Sequence, residues 1–241
     1  MRNLKIEIEY DGTEYSGWQF QPGRRTVQGE IEGALKKMFN ISTRITGAGR
    51  TDQGVHAFGQ VANFFTVSRI SAEKIRNGLN ALIPDDIHVR KITVVDPEFH
   101  SRFSARSKIY VYRILREPSP IRRRYFWFVK YRLDLDRMKE TIKYFKKERD
   151  FRWFSVGDGG ERKNTFCDVT DINLTSHDSE LIINIEADRF LHQMIRGIVG
   201  YMVDTGRGRF APEKAEDALA GKVRDLYFAP PHGLFLMEVK Y

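Results

Sequence analysis

The sequence predicts an α+β protein of two halves, each running β-α-β-β-α-β. Three observations carry that prediction. Segments of alternating polarity trade places with segments whose apolar residues recur at three- and four-residue spacing. This exchange of strand-like and helix-like segments runs through the chain twice. The 241 residues, 41% hydrophobic and 12% aromatic, fit one large domain or two small ones with a sizeable core.

The first half is the clearer. Leu4, Ile6, Ile8 and Tyr10 alternate with Lys5, Glu7 and Glu9, the pattern of a half-buried strand, which Asp11-Gly12-Thr13 ends. A loop with glycines and aromatics runs through Trp18 to Gly23. Thr26 is placed to cap a helix whose apolar face is Val27, Ile31, Leu35, Met38 and Phe39. Residues 43–46 and 59–67 are β-prone, the second stretch rich in β-branched and aromatic residues. Ser71 opens a second helix with Ile75, Leu79 and Leu82 on one side, stopped before Pro84, and residues 87–95 are again strand-like. That order is a ferredoxin-like (RRM-like) split unit.

Residues 97–106 read as a linker and 107–115 as a long strand, with no period-2 pattern clean enough to assign its faces. Pro118 and Pro120 break the chain before Arg122-Arg123-Arg124. From residues 125–129 the order repeats. Asp134 caps a helix carrying Leu135, Met138, Ile142 and Phe145, and strands at 169–174 and 181–187 flank a turn at His177-Asp178-Ser179. A helix over 190–204, a shorter one after Pro212 and a strand over 233–241 complete the chain. The expected division is 1–105 and 106–241, two ferredoxin-like halves joined through one extended, mostly antiparallel sheet. The repetition is one of topology, without a residue-level repeat.

A formal net charge of +8 with 30% charged residues fits either a soluble, self-repelling surface or an electrostatic footprint for nucleic acid. The cations partly cluster at Arg122–124, at Lys143, Lys146, Lys147 and Arg149, and at Arg207 and Arg209, the last two placed to face phosphates. Such clusters together favour a surface that tracks a nucleic-acid backbone, with strong salt dependence and no sequence specificity. Gly206-Arg207-Gly208-Arg209-Phe210-Ala211 mimics a dinucleotide-binding pattern but follows a helix rather than a strand, which excludes that reading.

Cys167 is the only cysteine, so an internal disulfide is excluded and a reducing compartment is expected, with the thiol a small core group rather than a nucleophile. No apolar run reaches membrane-spanning length, Arg196 interrupting the longest, and the N-terminus lacks a signal-peptide core. A cytoplasmic protein without membrane contact is expected. The six histidines have neither H-x-H nor H-E-x-x-H spacing, so no metal site is expected.

One carboxylate stands out. Asp52 lies in Gly47-Ala48-Gly49-Arg50-Thr51-Asp52-Gln53-Gly54-Val55-His56-Ala57, a Gly-rich insert between two strand-like stretches. An Asp there is ordinarily a turn residue bonding its own backbone. Its spacing fits neither the dinucleotide fingerprint nor the phosphate-cradling loop. Arg50, two residues earlier, would hold the carboxylate ionised, as a nucleophile or an electrostatic centre requires. Tyr110 and Tyr112 share one face of their strand, where they either pack or offer a flat ring to a displaced base. Arg196 lies off the apolar stripe of its helix. It is either a solvated Arg, or Gly197 and Gly200 admit another element and Arg196 meets a buried acid.

These residues carry a family resemblance. Tyr10-Asp11-Gly12-Thr13, Tyr15, Gly17-Trp18-Gln19, Thr26-Val27-Gln28, Glu32 and Ala34-Leu35 resemble the opening of the tRNA pseudouridine synthase A (TruA) family. Gly49-Arg50-Thr51-Asp52, with Gly54-Val55-His56-Ala57, is similar to its catalytic signature. The match continues through Leu79-Asn80, Pro84, Asp86-Ile87, Phe99-His100, Arg102-Phe103, Tyr110 and Tyr112. It ends on Phe190-Leu191, Arg196, Ile198-Val199-Gly200, Ala229-Pro230, Gly233-Leu234 and Leu236.

The resemblance implies isomerisation of uridine to pseudouridine at positions 38, 39 and 40 of the anticodon stem-loop. It implies no cofactor, tRNA as partner, a homodimer whose two subunits both contact the tRNA, and an active cleft between the halves. It makes Asp52 the catalytic aspartate, Arg50 a residue that displaces the target nucleotide, Tyr110 the ring stacked on the uracil, and Arg196 the partner of the aspartate. Ser101, Ile195 and Gly197 stand where the family usually has Ala, Val and Asn, and residues 164–167 lack an Arg often present, departures that touch peripheral RNA contacts. The competing reading is a non-catalytic RNA-binding or chaperone protein on an RRM-like sheet, against which no RNP1 pattern is found. A related pseudouridine synthase aimed at another RNA would differ only in substrate.

Overall fold

In the computed structural model, which describes residues 1–157 and 164–241, the chain divides into two units. One is Met1–Arg106 with Phe235–Tyr241, and the other is Ser107–Leu234. The fold is α+β, with mostly antiparallel strands and five α-helices among the described residues.

The first unit runs β1 (Arg2–Tyr10), α1 (Val27–Phe39), β2 (Thr46–Gly47), β3 (His56–Thr66), α2 (Ala72–Asn80) and β4 (Ile87–Val95). Alternation makes β1 a half-buried strand, with Leu4, Ile6 and Ile8 fully enclosed and Lys5, Glu7 and Glu9 partly exposed between them. β1 is central. It pairs antiparallel with β3 (Ile6 opposite Ala62) and with β4 (Ile6 opposite Ile92), and β2 pairs with the far side of β3 (Thr46 opposite Asn63). Each helix begins where a hydroxyl satisfies a free backbone donor: Thr26 accepts from the Gly29 N–H, and Ser71 from the Lys74 N–H. Val27, Ile31 and Leu35 of α1 and Ile75 and Leu79 of α2 are buried.

The second unit runs β5 (Ser107–Leu115), β6 (Trp127–Phe128), α3 (Leu135–Phe145), β7 (Lys147–Asp150), β8 (Phe166–His177), β9 (Glu180–Ala187), α4 (Met194–Gly206) and α5 (Lys214–Leu219). Its strand order is β5-β9-β8-β7, antiparallel throughout, with β6 parallel to β5. From Met194 to Gly206 every residue of α4 except Arg196 is buried, as expected of a helix apolar nearly all round. Edge-on rings fill the core beside it, Phe145 lying 5.1 Å from Phe154 and 5.8 Å from Tyr201. Asp134 caps α3 by accepting from the Asp136 and Arg137 N–H groups.

Four features differ from the sequence expectation. α4 begins at Met194 rather than at residue 190, because Gln193 is left-handed (φ 62°) and cannot continue a helix. Residues 125–129 supply only the two-residue β6, and β5 takes the place of leading strand. β7, Lys-Glu-Arg-Asp, has no apolar alternation to announce it and forms by pairing with β8. The closing strand, β10 (Leu234–Lys240), was expected with the second half, but its residues from Phe235 onward belong to the first unit. Phe235 and Leu236 run parallel to His56 and Ala57, and the Tyr241 hydroxyl donates to the Ser101 carbonyl at 2.8 Å.

Among the described residues no helix is long and apolar enough to cross a membrane, and no cluster of His, Cys, Asp and Glu is placed to hold a metal ion.

Candidate active site

The Asp52 loop spans residues 48–55, between β2 and β3 of the first unit. Its backbone is tied on several sides. The Ala48 N–H donates to the Val61 carbonyl (2.7 Å), and the Gln60 amide donates to the Gly49 carbonyl (3.0 Å). The Thr51 carbonyl accepts from the Trp18 N–H (3.1 Å), while its hydroxyl lies 2.7 Å from that of Tyr10. The Val55 N–H closes a turn on the Asp52 carbonyl (3.2 Å). Thr51 is therefore buried while its neighbour Asp52 is half-buried and Arg50 exposed. Burial pushes the Tyr10 hydroxyl up to about 12, and its hydrogen bonds to Thr51 and Gln60 partly oppose the shift.

A second loop supports the first. Gly17 crosses so near that a Cβ there would sit 2.6 Å from the Thr51 carbonyl oxygen, and its φ of +92° also favours glycine. This crossing loop is clamped in turn. The Tyr15 hydroxyl donates to the Asp86 carboxylate, and Arg25 pairs with Asp86 at 3.1 Å while lying 4.3 Å over the Tyr15 ring. At the C-terminal end of the Asp52 loop, His56 Nδ1 accepts from the Gly12 N–H (3.1 Å) and its ring stacks on Phe235 (4.6 Å).

In the second unit Tyr110 and Tyr112 are both buried on β5. The Phe190 ring meets Tyr110 edge-on at 5.2 Å. The Tyr112 hydroxyl donates to the Pro230 carbonyl (2.7 Å), and burial pushes it well up, with the Arg196 charge opposing. Arg196 is half-buried. Its Nε donates to the Ala229 carbonyl (2.6 Å), and the Ala229 N–H returns a bond to the Arg196 carbonyl (2.9 Å). Gly200 makes room for this segment, since a Cβ there would lie 1.7 Å from the Tyr227 carbonyl oxygen. The 227–230 segment thus approaches α4 at Gly200, one of the two alternatives that the glycines left open. Arg207 and Arg209 each close on the buried Asp204 carboxylate at 2.8 Å.

Arg50 and Asp52 share a loop of the first unit, and Tyr110 and Arg196 belong to the second. A family model described as tRNA pseudouridine synthase matches residues 6–104 and 142–241. The tRNA pseudouridine synthase A of Thermosipho melanesiensis is 42% identical over all of both chains. Those of Thermoanaerobacter sp. and Clostridium perfringens (the latter named tRNA pseudouridine synthase A 2) are each 40% identical, again over the whole length of both chains. The chain belongs to the tRNA pseudouridine synthase family.

A pseudouridine synthase is an isomerase that must break the C1′–N1 bond, turn the uracil and join C1′ to C5, with no redox change and no group lost. Asp52, Arg50 and Arg196 lie inside the matched stretches and Tyr110 outside them. Sequence reasoning did not anticipate the supports of this synthase's loop, namely Tyr10 under Thr51, Trp18 on the Thr51 carbonyl and the Tyr15–Asp86–Arg25 clamp. Apart from Arg25, which stands outside it, their one signal was membership of the same motif string, which says that residues matter together but not which atoms meet.

Proposed function

We propose that this synthase converts uridine to pseudouridine at positions 38, 39 and 40 of the tRNA anticodon stem-loop, as a cytoplasmic homodimer, with Asp52 as the catalytic carboxylate. The observation that carries the reading is the Asp52 loop itself. A carboxylate follows a Thr51 whose carbonyl and hydroxyl are both engaged, so its backbone has little room to shift during a reaction. An ionised carboxylate beside the sugar can attack C1′, take a proton from C2′ or add to C6 of the ring, acting as nucleophile or base.

The reacting atoms are inaccessible in a stacked stem, so the nucleotide must be extruded, at a cost of about a few kcal/mol. Arg50, exposed two residues before Asp52, is the group that displaces it. Tyr110 offers the ring on which the uracil stacks, at about 1–3 kcal/mol per base. Arg196 supplies the cation that balances the aspartate, its guanidinium oriented by the Ala229 carbonyl.

The test is pseudouridine mapping on an unmodified tRNA transcript by carbodiimide labelling and primer extension. Wild-type protein should give new stops on the 3′ side of the anticodon arm. Asp52→Ala and Asp52→Asn should bind tRNA and give none. Turnover by either variant would overturn the assignment of Asp52. Tight binding by wild type without any stops would instead favour a non-catalytic RNA-binding protein or another RNA target.

A further inference from the structure

The three basic clusters of the chain have different surroundings. Arg207 and Arg209 are drawn onto the buried Asp204. Lys143, Lys146 and Arg149 pair with Glu140 (3.1 Å), Asp171 (2.8 Å) and Glu216 (3.3 Å). Residues 121–132 are otherwise. Arg122 pairs with Glu180 and lies 4.3 Å over the Phe126 ring. Arg123, Arg124, Lys130 and Arg132 are exposed, and none pairs with a carboxylate among the described residues. The sequence holds no Asp or Glu between Glu117 and Asp134, so no local acid offsets the four charges.

This tract is ordered rather than trailing. Phe126, Val129 and Leu133 are buried and pin it at three points. Trp127 and Phe128 pair with Ile114 and Leu115 of β5, and the Val129 N–H donates to the Leu115 carbonyl at 2.9 Å. Beside the pins, Tyr125, Phe128 and Tyr131 keep 36%, 42% and 46% of their surface exposed. The Tyr131 ring has Lys130 at 5.4 Å and Arg207 at 5.1 Å. Uncompensated cations interleaved with exposed rings on a fixed backbone suit a strand of nucleic acid, the phosphates meeting the charges and bases or sugars meeting the rings.

We propose that residues 121–132 form a tRNA-docking surface of the second unit, with Arg123, Arg124, Lys130 and Arg132 on the sugar–phosphate backbone and Tyr131 against a base or sugar. The proposal rests on the tRNA reading above. It concerns residues 121–132, which lie within the stretch that the family model leaves unmatched.

The experiment is equilibrium binding of a labelled, unmodified tRNA transcript by fluorescence anisotropy, from about 50 to about 300 mM KCl. The variant Arg123→Gln/Arg124→Gln/Lys130→Gln/Arg132→Gln should bind about tenfold or more weakly near 150 mM salt. Its slope of log affinity against log salt should be shallower by about 3 to 4, since each lost phosphate contact removes about 0.9. The control Lys143→Gln/Lys146→Gln/Arg149→Gln removes the same kind of charge from a paired cluster and should change the slope by less than about 1.

Arg123→Lys/Arg124→Lys/Arg132→Lys should retain the wild-type slope. Should the quadruple variant fold poorly, Arg124→Gln and Arg132→Gln tested singly should each lower the slope by about 0.9. An unchanged slope, or an equal loss in the control, would overturn the proposal. So would unchanged tRNA binding accompanied by weaker binding of polyglutamate, which would make the tract a reader of acidic protein. Wild-type protein that binds tRNA steeply but forms no pseudouridine would remove the proposed activity while leaving the tract to be judged on its slope.

Discussion

The Tyr10 hydroxyl shows how one atom can serve both strand and loop. It ends β1, sits 3% exposed beneath the Asp52 loop and meets the Thr51 hydroxyl at 2.7 Å. Its pKa is raised to about 12 from an ordinary 10, so the neutral form is the one the fold prefers. The stability linked to that shift is complete below pH 10 and is lost as the pH rises from there towards 12, about 3 kcal/mol in all. Tyr10→Phe cannot ionise, and at pH 8 it forgoes only one buried hydrogen bond, about 1 kcal/mol. Urea unfolding should therefore show wild type ahead at pH 8, with the gap closed or inverted by pH 11. A gap independent of pH would mean that the hydroxyl is hydrated in the native protein.

Between elements, close approach decides more than propensity does. α4 and the 227–230 segment meet where Gly200 leaves the helix surface bare, and the reciprocal Arg196–Ala229 bonds hold the contact. Gly200→Ala is mild for an isolated helix, and Ala is intrinsically the better helix former. Here the new methyl would lie 1.7 Å from a backbone carbonyl, which is no flexible side-chain end and has to be pushed away. The loss should be ~3 kcal/mol or more, the upper end of overpacking, read as a lowered melting temperature. A variant as stable as wild type would show that the segment yields without penalty. Elsewhere elements were legible from their own residues: Thr26, Ser71 and Asp134 stand at the helix starts where the sequence put them, each accepting backbone N–H groups of the first turn. Where the deciding residue was a left-handed Gln193, no composition rule could flag it, because glutamine is ordinarily a good helix former.

Over the whole molecule, the chain leaves the first unit at Arg106 and returns to it at Phe235. The returning strand contributes Phe235 against His56, buried Leu236 beside Ala57, and the Tyr241 bond to Ser101. Burial of Phe235 and Leu236 alone is worth about 1.5–3 kcal/mol each. A chain ended after Leu234 should therefore lower the stability of the first unit by about 3 kcal/mol or more. Trp18, which belongs to that unit, reports on it when Trp127 and Trp153 are replaced by Phe, and its unfolding midpoint should fall on truncation. An unmoved Trp18 transition would show that the first unit stands without its last strand.

Local rules were enough for whatever depended on neighbours in the chain. Alternation named β1, three- and four-residue spacing named α1 to α3, and glycines around a single acid pointed to the Asp52 loop. The motif string by itself also carries the family resemblance. Partners remote in sequence were out of reach of such rules. That Phe235 joins the first unit, that Tyr10 underlies Thr51, and that Asp204 absorbs Arg207 and Arg209 while Arg123, Arg124, Lys130 and Arg132 stay open are long-range matters. Periodicity reports which side of an element is apolar, whereas pairing and charge compensation depend on which distant groups packing brings within a few ångströms.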